Sequence, residues 1–216
     1  MQNYPNILIE SQIFPPIRAI AYFLQNPNVC IEAHEHYQKR SHRNRYRIGS
    51  TQGPLDLSIP LLKGKNQQQN IQEVKISYGC NWPMQHLRAI QSSYGKSAYF
   101  IYYKDLIFEL LLKKEDYLFD LNWNSLQLIA GIIPIDLNLQ KSEHYLAKPD
   151  QAGLDLRNHF QFQTIDLVPL PSYYQVFAGK SGFISNLSIL DLIFHQGPEA
   201  IYYLQQISKL SVSLDS

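Results

Sequence analysis

The stretch Asn6–Ala33, NILIESQIFPPIRAIAYFLQNPNVCIEA, decides the fold class. Asn6 to Glu10 is a short apolar run with the length of a strand, and Ser11-Gln12-Ile13-Phe14 leads from it into a proline pair. Pro15 and Pro16 suit the first turn of a helix, where a missing N–H costs little. Ile17, Ile20, Ala21 and Leu24 then recur at helical spacing until Asn26-Pro27-Asn28 stops them, and Val29 to Ala33 is a second strand. Strand, helix and strand in this order predict a βαβ unit. In such units ligands sit beyond the carboxyl ends of the strands. Both ends are polar here, with Glu10, Ser11 and Gln12 after the first strand and His34 to Arg40 after the second.

The second of those ends runs into Tyr37–Ile48, YQKRSHRNRYRI, which packs Lys39, Arg40, Arg43, Arg45 and Arg47 together on a chain of formal net charge +1. No acid interrupts the block, and the nearest carboxylates are Glu35 before it and Asp56 after it. Arg43, Arg45 and Arg47 alternate with Asn44, Tyr46 and Ile48, so an extended chain would set three guanidinium groups on one face. After the turn Gly49–Pro54, Leu55, Leu57, Ile59 and Leu61 alternate with polar residues as a half-buried partner strand, and Pro60 puts the end of this predicted hairpin at an edge. Arginine offers planar, paired donors matched to phosphate or carboxylate, so such a ribbon can hold a phosphorylated ligand. The plainer alternative is a solvated or salt-bridged strand face. Lys63, Lys65 and Asn66 in the following loop could join the patch.

Cys30, Glu32, His34 and His36 fall at alternate positions, so one continuous strand would point all four to one side. Glu32, His34 and His36 are thereby the candidate metal ligands, against the reading that they are ordinary polar positions at a strand end. Cys30, flanked by Val29 and Ile31, reads as a buried and inert thiol rather than a nucleophile.

Further along, Val74, Ile76 and Tyr78 have strand alternation. Asn81 is placed to cap a helix from Trp82 to about Tyr94, which Gly95 ends. His86 lies at the border of that helix's apolar stripe and is the first choice among the 7 histidines for a general base, although a stacked core histidine is the commoner outcome. Tyr99–Leu112 and Tyr117–Ile133 form an apolar helical pair, with Asp120 and Asn122 early in the second. The pattern weakens from 136 to 163, where a lid or insertion is expected. Thr164 to Pro171 reads as extended. Ser188 caps a helix through His195, Gly197 stops it, and Pro198 opens a closing helix with Ile201, Leu204, Ile207 and Leu210 on its apolar stripe.

The chain has 216 residues, 45% hydrophobic and 17% charged, the balance of a compact globular protein. A near-neutral charge argues against bulk nucleic-acid binding. Two cysteines suit a reducing compartment. There is no signal-like N-terminus and no apolar run long enough for a membrane span, so the expected location is cytoplasmic. The expectation is therefore a single α/β or α+β domain over 1–216, with an N-terminal βαβ unit, a mixed sheet carrying a basic hairpin, and a mostly helical middle and C-terminus.

Six stretches, IESQIFPPI, EAHEHYQKRSHRNRYRI, GPLDLSIPL, WPMQHLRAIQSSYGKSAYF, FDLN and FISNLSILDLIFHQGPEA, together resemble the WbqC-like family and follow its order over nearly the whole chain. The resemblance implies a setting in bacterial surface polysaccharide and O-antigen synthesis, and motif residues Tyr37, Lys39, Arg43, Asn44, Arg45, His86, Tyr94, Asp120 and Asn122. His36 departs from the family pattern, which weakens the metal reading. No phosphate-loop, dinucleotide or nucleophile-elbow signature is present. The expected function is a transferase of acyl or aminoacyl type acting on a nucleotide-linked or phosphate-linked sugar. His86 and Asp120 would be catalytic, and Tyr37, Lys39, Arg43, Asn44, Arg45, Tyr94 and Asn122 would bind substrate. The alternatives are a non-catalytic protein that binds a phosphorylated intermediate or a partner enzyme of the same pathway, and RNA binding through the hairpin. No cofactor is identified, and the oligomeric state is open.

Overall fold

A computed structural model describes residues 7–62, 69–147, 153–162 and 170–212, the last three without their side chains. Lys63, Lys65, Asn66, part of the segment expected as a lid or insertion (148–152 and 163) and residues 164–169 of the stretch read as extended lie outside the described residues, as does the side chain of Leu210.

The βαβ unit forms as its sequence predicts. β1 (Ile7–Glu10) is buried at every position, the mark of a strand covered on both faces. Pro16, extended at the position before α1 (Ile17–Phe23), sets the direction of entry, and six of that helix's seven residues are buried. β2 (Asn28–Glu32) returns parallel to β1, with Ile7 opposite Val29 and Glu10 opposite Glu32. The two glutamates therefore stand side by side at the carboxyl edge.

Two further strands complete an all-parallel sheet of order β5-β2-β1-β6. β5 (Asn138–Lys141) pairs with β2, and β6 (Leu154–Asp155) pairs with β1. Both come from the segment expected to be a lid or insertion. They are solvated edge strands, one of sequence NLQK and the other only Leu-Asp, and lack the apolar signature of a central strand.

The basic hairpin is a separate two-stranded sheet of β3 (Arg45–Ser50) and β4 (Gly53–Ser58), in the register Arg45 to Ser58 and Ser50 to Gly53. Gly53, at φ 105, supplies the left-handed conformation of its turn. Tyr46 and Ile48 face inward, while Leu55 of β4 is 37% exposed. The partner strand is thus shorter and more solvated than its alternation suggests, and Ile59 is buried just beyond it. Arg43 is not on the ribbon, because the strand begins two residues later.

Helices α2 (Trp82–Tyr94), α3 (Phe100–Leu112) and α4 (Leu118–Ile132) form the middle of the chain. Asn81 stands at the start of α2 without a side-chain capping bond. Val74 to Tyr78 does not make a strand: it forms only isolated bridges, Leu61 with Ile76 and Lys75 with Tyr117, after a short 3-10 turn at Ile71–Glu73. The C-terminal part comprises a single turn, α5 (Ala178–Ser181), then α6 (Ile189–Gln196) and α7 (Ala200–Val212). Ser188 Oγ accepts from Leu190 N at the start of α6, and Gly197 ends that helix at φ 53. α1 packs against α6 and α7, so the apolar core is continuous from the first helix to the last. The architecture is α/β, and at the sheet's carboxyl edge β2 runs on into the basic segment.

Candidate functional site

Beyond the carboxyl ends of the parallel strands lies a cleft of two lobes. The large one, about 950 Å³, is lined by His34, Glu35, His36, Tyr37, Gln38 and Lys39 from the segment after β2, and by Tyr145, Asp155, Arg157 and Asn158 from the segments around β6. The small one, about 260 Å³, is lined by Glu10, Gln38, Lys39, Arg40, Ser41, Arg43, Asn158, Phe160, Gln161 and Phe162. Gln38, Lys39 and Asn158 belong to both walls. This is the strand-end position that the βαβ reading anticipated.

Three buried carboxylates lie in or behind these walls: Glu10 and Glu35, which line the lobes, and Glu32, which lines neither. Glu32 accepts from Ser142 Oγ at 2.7 Å, His34 N at 3.0 Å, Leu146 N at 3.1 Å and Arg157 Nη1 at 3.1 Å. Glu10 accepts from Gln12 Nε2 and Asn158 N, both at 2.8 Å. Glu35 is gripped by both Nε and Nη2 of Arg43, which is 0% exposed, and Nη2 also donates to Asn158 Oδ1 at 3.1 Å. Burial pushes the Glu35 carboxyl upward, more strongly than Arg43 pulls it down, with the charges of Glu10 and Glu32 adding to the rise. Burial works against the Arg43 charge as well, but the bonds and charge of Glu35 outweigh it, so the guanidinium stays protonated. Arg157 is clamped to Asp155 at 2.7 Å, and its guanidinium lies 5.2 Å from the ring centre of Tyr145.

The carboxylates that flank the basic block are thus what two of its arginines pair with. Glu35 takes Arg43, and Asp56 takes Arg47 at 2.6 Å, while the Arg47 guanidinium lies over Phe162 at 4.8 Å. Arg45 is half-buried, and its Nε has no hydrogen-bond partner among the described residues. The expected face of three free guanidinium groups is therefore replaced by one buried pair, one half-exposed pair and one partly covered arginine.

The other sequence candidates separate into those at the cleft and those behind or away from it. Tyr37 and Lys39 reach the walls. Tyr37 donates to Asn44 Oδ1 at 2.9 Å, and Asn44 donates to Ile59 O at 3.0 Å, which ties the basic segment to the hairpin. Asn122 of α4 donates to Arg43 O at 2.8 Å and to Ser11 Oγ at 3.3 Å, supporting the cleft from beneath. His86 is not at either lobe. It is 4% exposed, shares a 2.9 Å hydrogen bond with Tyr46 and packs edge-on to Trp82. Burial lowers it to about 4, so its imidazole is neutral at pH 7. Asp120 is half-buried in the first turn of α4 and lines neither lobe. Tyr94 is buried on the other side of the hairpin, where its hydroxyl accepts from Gly49 N at 3.2 Å, near a group in which Tyr173 and Gln175 donate to Asp191.

The metal alternative loses its geometry because β2 ends at Glu32, so His34 and His36 do not continue its alternation. The Glu32 oxygens are also occupied, and among the described residues no group of three His, Cys, Asp or Glu could hold a metal ion. Burial raises the Cys30 thiol to about 11, so it is not a thiolate at neutral pH. Sequence reasoning missed Tyr145, Asp155, Arg157 and Asn158. Leu154-Asp155-Leu156 has strand alternation, but over too few residues to stand out.

The model of the WbqC-like protein family matches residues 11–164, an interval that contains every lining residue of both lobes except Glu10. The uncharacterized protein Rv1507c of Mycobacterium tuberculosis is 28% identical over 194 residues, covering 78% of this chain and 84% of that protein. No solved structure matches the chain. Among the described residues, no helix is long and apolar enough to cross a membrane.

Proposed function

We propose a function from the premise that the family match establishes: this chain belongs to the WbqC-like protein family. The reading that the cleft supports best is a cytoplasmic transferase of acyl or aminoacyl type. Its substrate is a nucleotide-linked or phosphate-linked sugar in surface polysaccharide or O-antigen synthesis, the setting that the family resemblance implies. One observation carries it: the large lobe lies beyond the carboxyl ends of four parallel strands, where α/β folds bind their ligands. Its wall combines a cationic side chain, Lys39, with aromatic rings, Tyr37 and Tyr145. Tyr145 is 53% exposed, leaving ring surface open to a base or sugar.

Proton transfer in this reading falls to His34 and His36, the imidazoles that line the lobe, in place of His86. They would take the proton from the sugar amine or hydroxyl as it attacks the donor's acyl carbonyl, and return it to the group that leaves the donor when the acyl bond breaks. The second reading, a non-catalytic binding protein of the same pathway, is favoured by one fact: Glu10 and Glu35, the glutamates that line the lobes, are both engaged in hydrogen bonds. Calorimetric titration with UDP-, GDP-, CMP- and dTDP-sugars, followed by mass spectrometry for an acylated sugar in the presence of acyl donors, tests both. The transferase reading expects one nucleotide-sugar to bind, and His34→Ala/His36→Ala to keep binding while product formation falls at least a hundredfold. Binding with no product from any donor supports the second reading. Absence of binding by every nucleotide-sugar refutes the assignment of the cleft.

A further inference from the structure

We infer that the small lobe is a phosphate subsite, organised by Arg43 from below and by Lys39 and Arg40 at its rim. The inference rests on the cleft being the substrate site and adds which of its parts holds the anion. Its starting point is an unsatisfied donor. Arg43 lines the small lobe and is 0% exposed, its Nε and Nη2 are engaged by Glu35 and Asn158, and its Nη1 has no hydrogen-bond partner among the described residues. A buried charged donor left without an acceptor is costly, and the group that satisfies it must bring oxygen lone pairs.

The surroundings favour a phosphoryl group. Lys39 and Arg40 line the same lobe and form no ion pair with any described residue. The acid in this wall, Glu10, accepts from Gln12 and Asn158, and its charge acts on Arg43, which leaves Lys39 and Arg40 as the unpaired cations of the lobe. Two unpaired cations, Lys39 and Arg40, above a guanidinium with a spare N–H suit a multiply charged oxyanion in about 260 Å³ better than a single carboxylate. The backbone adds a second sign. Arg40 and Asn158 both line the lobe in left-handed conformations, φ 58 and φ 60, which for arginine is a strained state of the kind found at ligand sites. That turn presents Lys39 and Arg40 at the mouth.

Calorimetry of the full chain with inorganic phosphate, and separately with acetate, tests the inference. Phosphate is expected to bind and acetate to bind at least tenfold more weakly. Lys39→Ala/Arg40→Ala, two exposed rim changes that spare the core, should weaken phosphate at least tenfold. Glu35→Gln/Arg43→Gln, which removes the buried pair together, should do the same, and Lys96→Ala on an exposed site after α2 should change nothing. Failure of the wild type to bind phosphate, equal binding by the rim variant, or acetate binding as tight as phosphate each overturns the subsite. The outcomes separate from those of the wider reading. A nucleotide-sugar that binds irrespective of Lys39 and Arg40 removes the subsite and leaves the function, whereas phosphate binding without any nucleotide-sugar does the reverse.

Discussion

Cutting Arg43 away from Glu35 should cost more stability than any surface charge change, and the cost should depend on pH in a defined direction. The two side chains are 0% and 6% exposed and share two hydrogen bonds, so neither charge has water to fall back on. Removing one partner of such a pair typically costs about 3–5 kcal/mol, whereas replacing both by apolar groups is often near neutral. Against a total stability of about 5–15 kcal/mol, either single change is severe. Arg43→Met and Glu35→Leu are each expected to lose about 3 kcal/mol or more at pH 7, and the double variant to lie within about 2 kcal/mol of wild type. The two singles differ in kind. Glu35 can escape by taking up a proton, and burial already raises its carboxyl, but Arg43 cannot shed one. With its folded value raised, Arg43→Met therefore keeps its stability below the unfolded carboxyl range and loses it as pH rises through the folded value. Urea unfolding followed by far-UV circular dichroism, as a double-mutant cycle at pH 5 and pH 8, reads both quantities. Losses under about 1 kcal/mol with no coupling would place the pair in solvent and refute the reasoning.

Acid should weaken the fold through two buried histidines. Burial lowers His42 to about 3, helped by the Arg47 charge, and His86 to about 4. Because these folded values lie below 6.5, the stabilising contribution is complete above pH 6.5 and is lost as pH falls, by about 3 kcal/mol for His86 by pH 4 and somewhat more for His42 by pH 3. Urea midpoints that stay flat from pH 7 to pH 4 would contradict this, and His42→Phe should lose less on acidification than wild type. Asn122→Ala removes the donor to Arg43 O and Ser11 Oγ, and should cost about 2 kcal/mol. An unchanged melting temperature would show that α4 does not hold the cleft loop.

The readable parts of the chain were those whose burial repeats along a local pattern. β1 and β2 are covered on both faces, and α1 hides all but one of its residues, so their apolar runs announced them. β5 and β6 are edge strands with mostly exposed side chains, and no run of apolar residues marked them. The basic block was visible as charge but not as geometry. Alternation set Arg43 with Arg45 and Arg47, while the partner that buries Arg43 is Glu35, a contact across a loop. His86 shows the same division. Its place on the border of the α2 stripe was legible, but its hydrogen bond to Tyr46 of the hairpin, which holds the ring away from the cleft, was not.

The brevity of β6 gives the cleft a thermodynamics of its own. Arg157 and Asn158 follow a strand that pairs with β1 over two residues, continued by the 2.7 Å bond from Leu156 N to Leu8 O and by the apolar plugs Leu156, Phe160 and Phe162. The ion pair of Arg157 with Glu32, the bonds of Asn158 with Glu10 and Arg43, and these plugs hold that wall to the rest of the chain, so its local opening would be a sub-global event with a free energy below that of unfolding. A ligand that spans Arg43 and Asn158 then acts as a fastener between two loops, joining segments more than a hundred residues apart. Its measured affinity is the intrinsic one reduced by the fraction of molecules whose wall is closed. A change at Leu156, which lines neither lobe, can thus alter binding through the closing equilibrium alone.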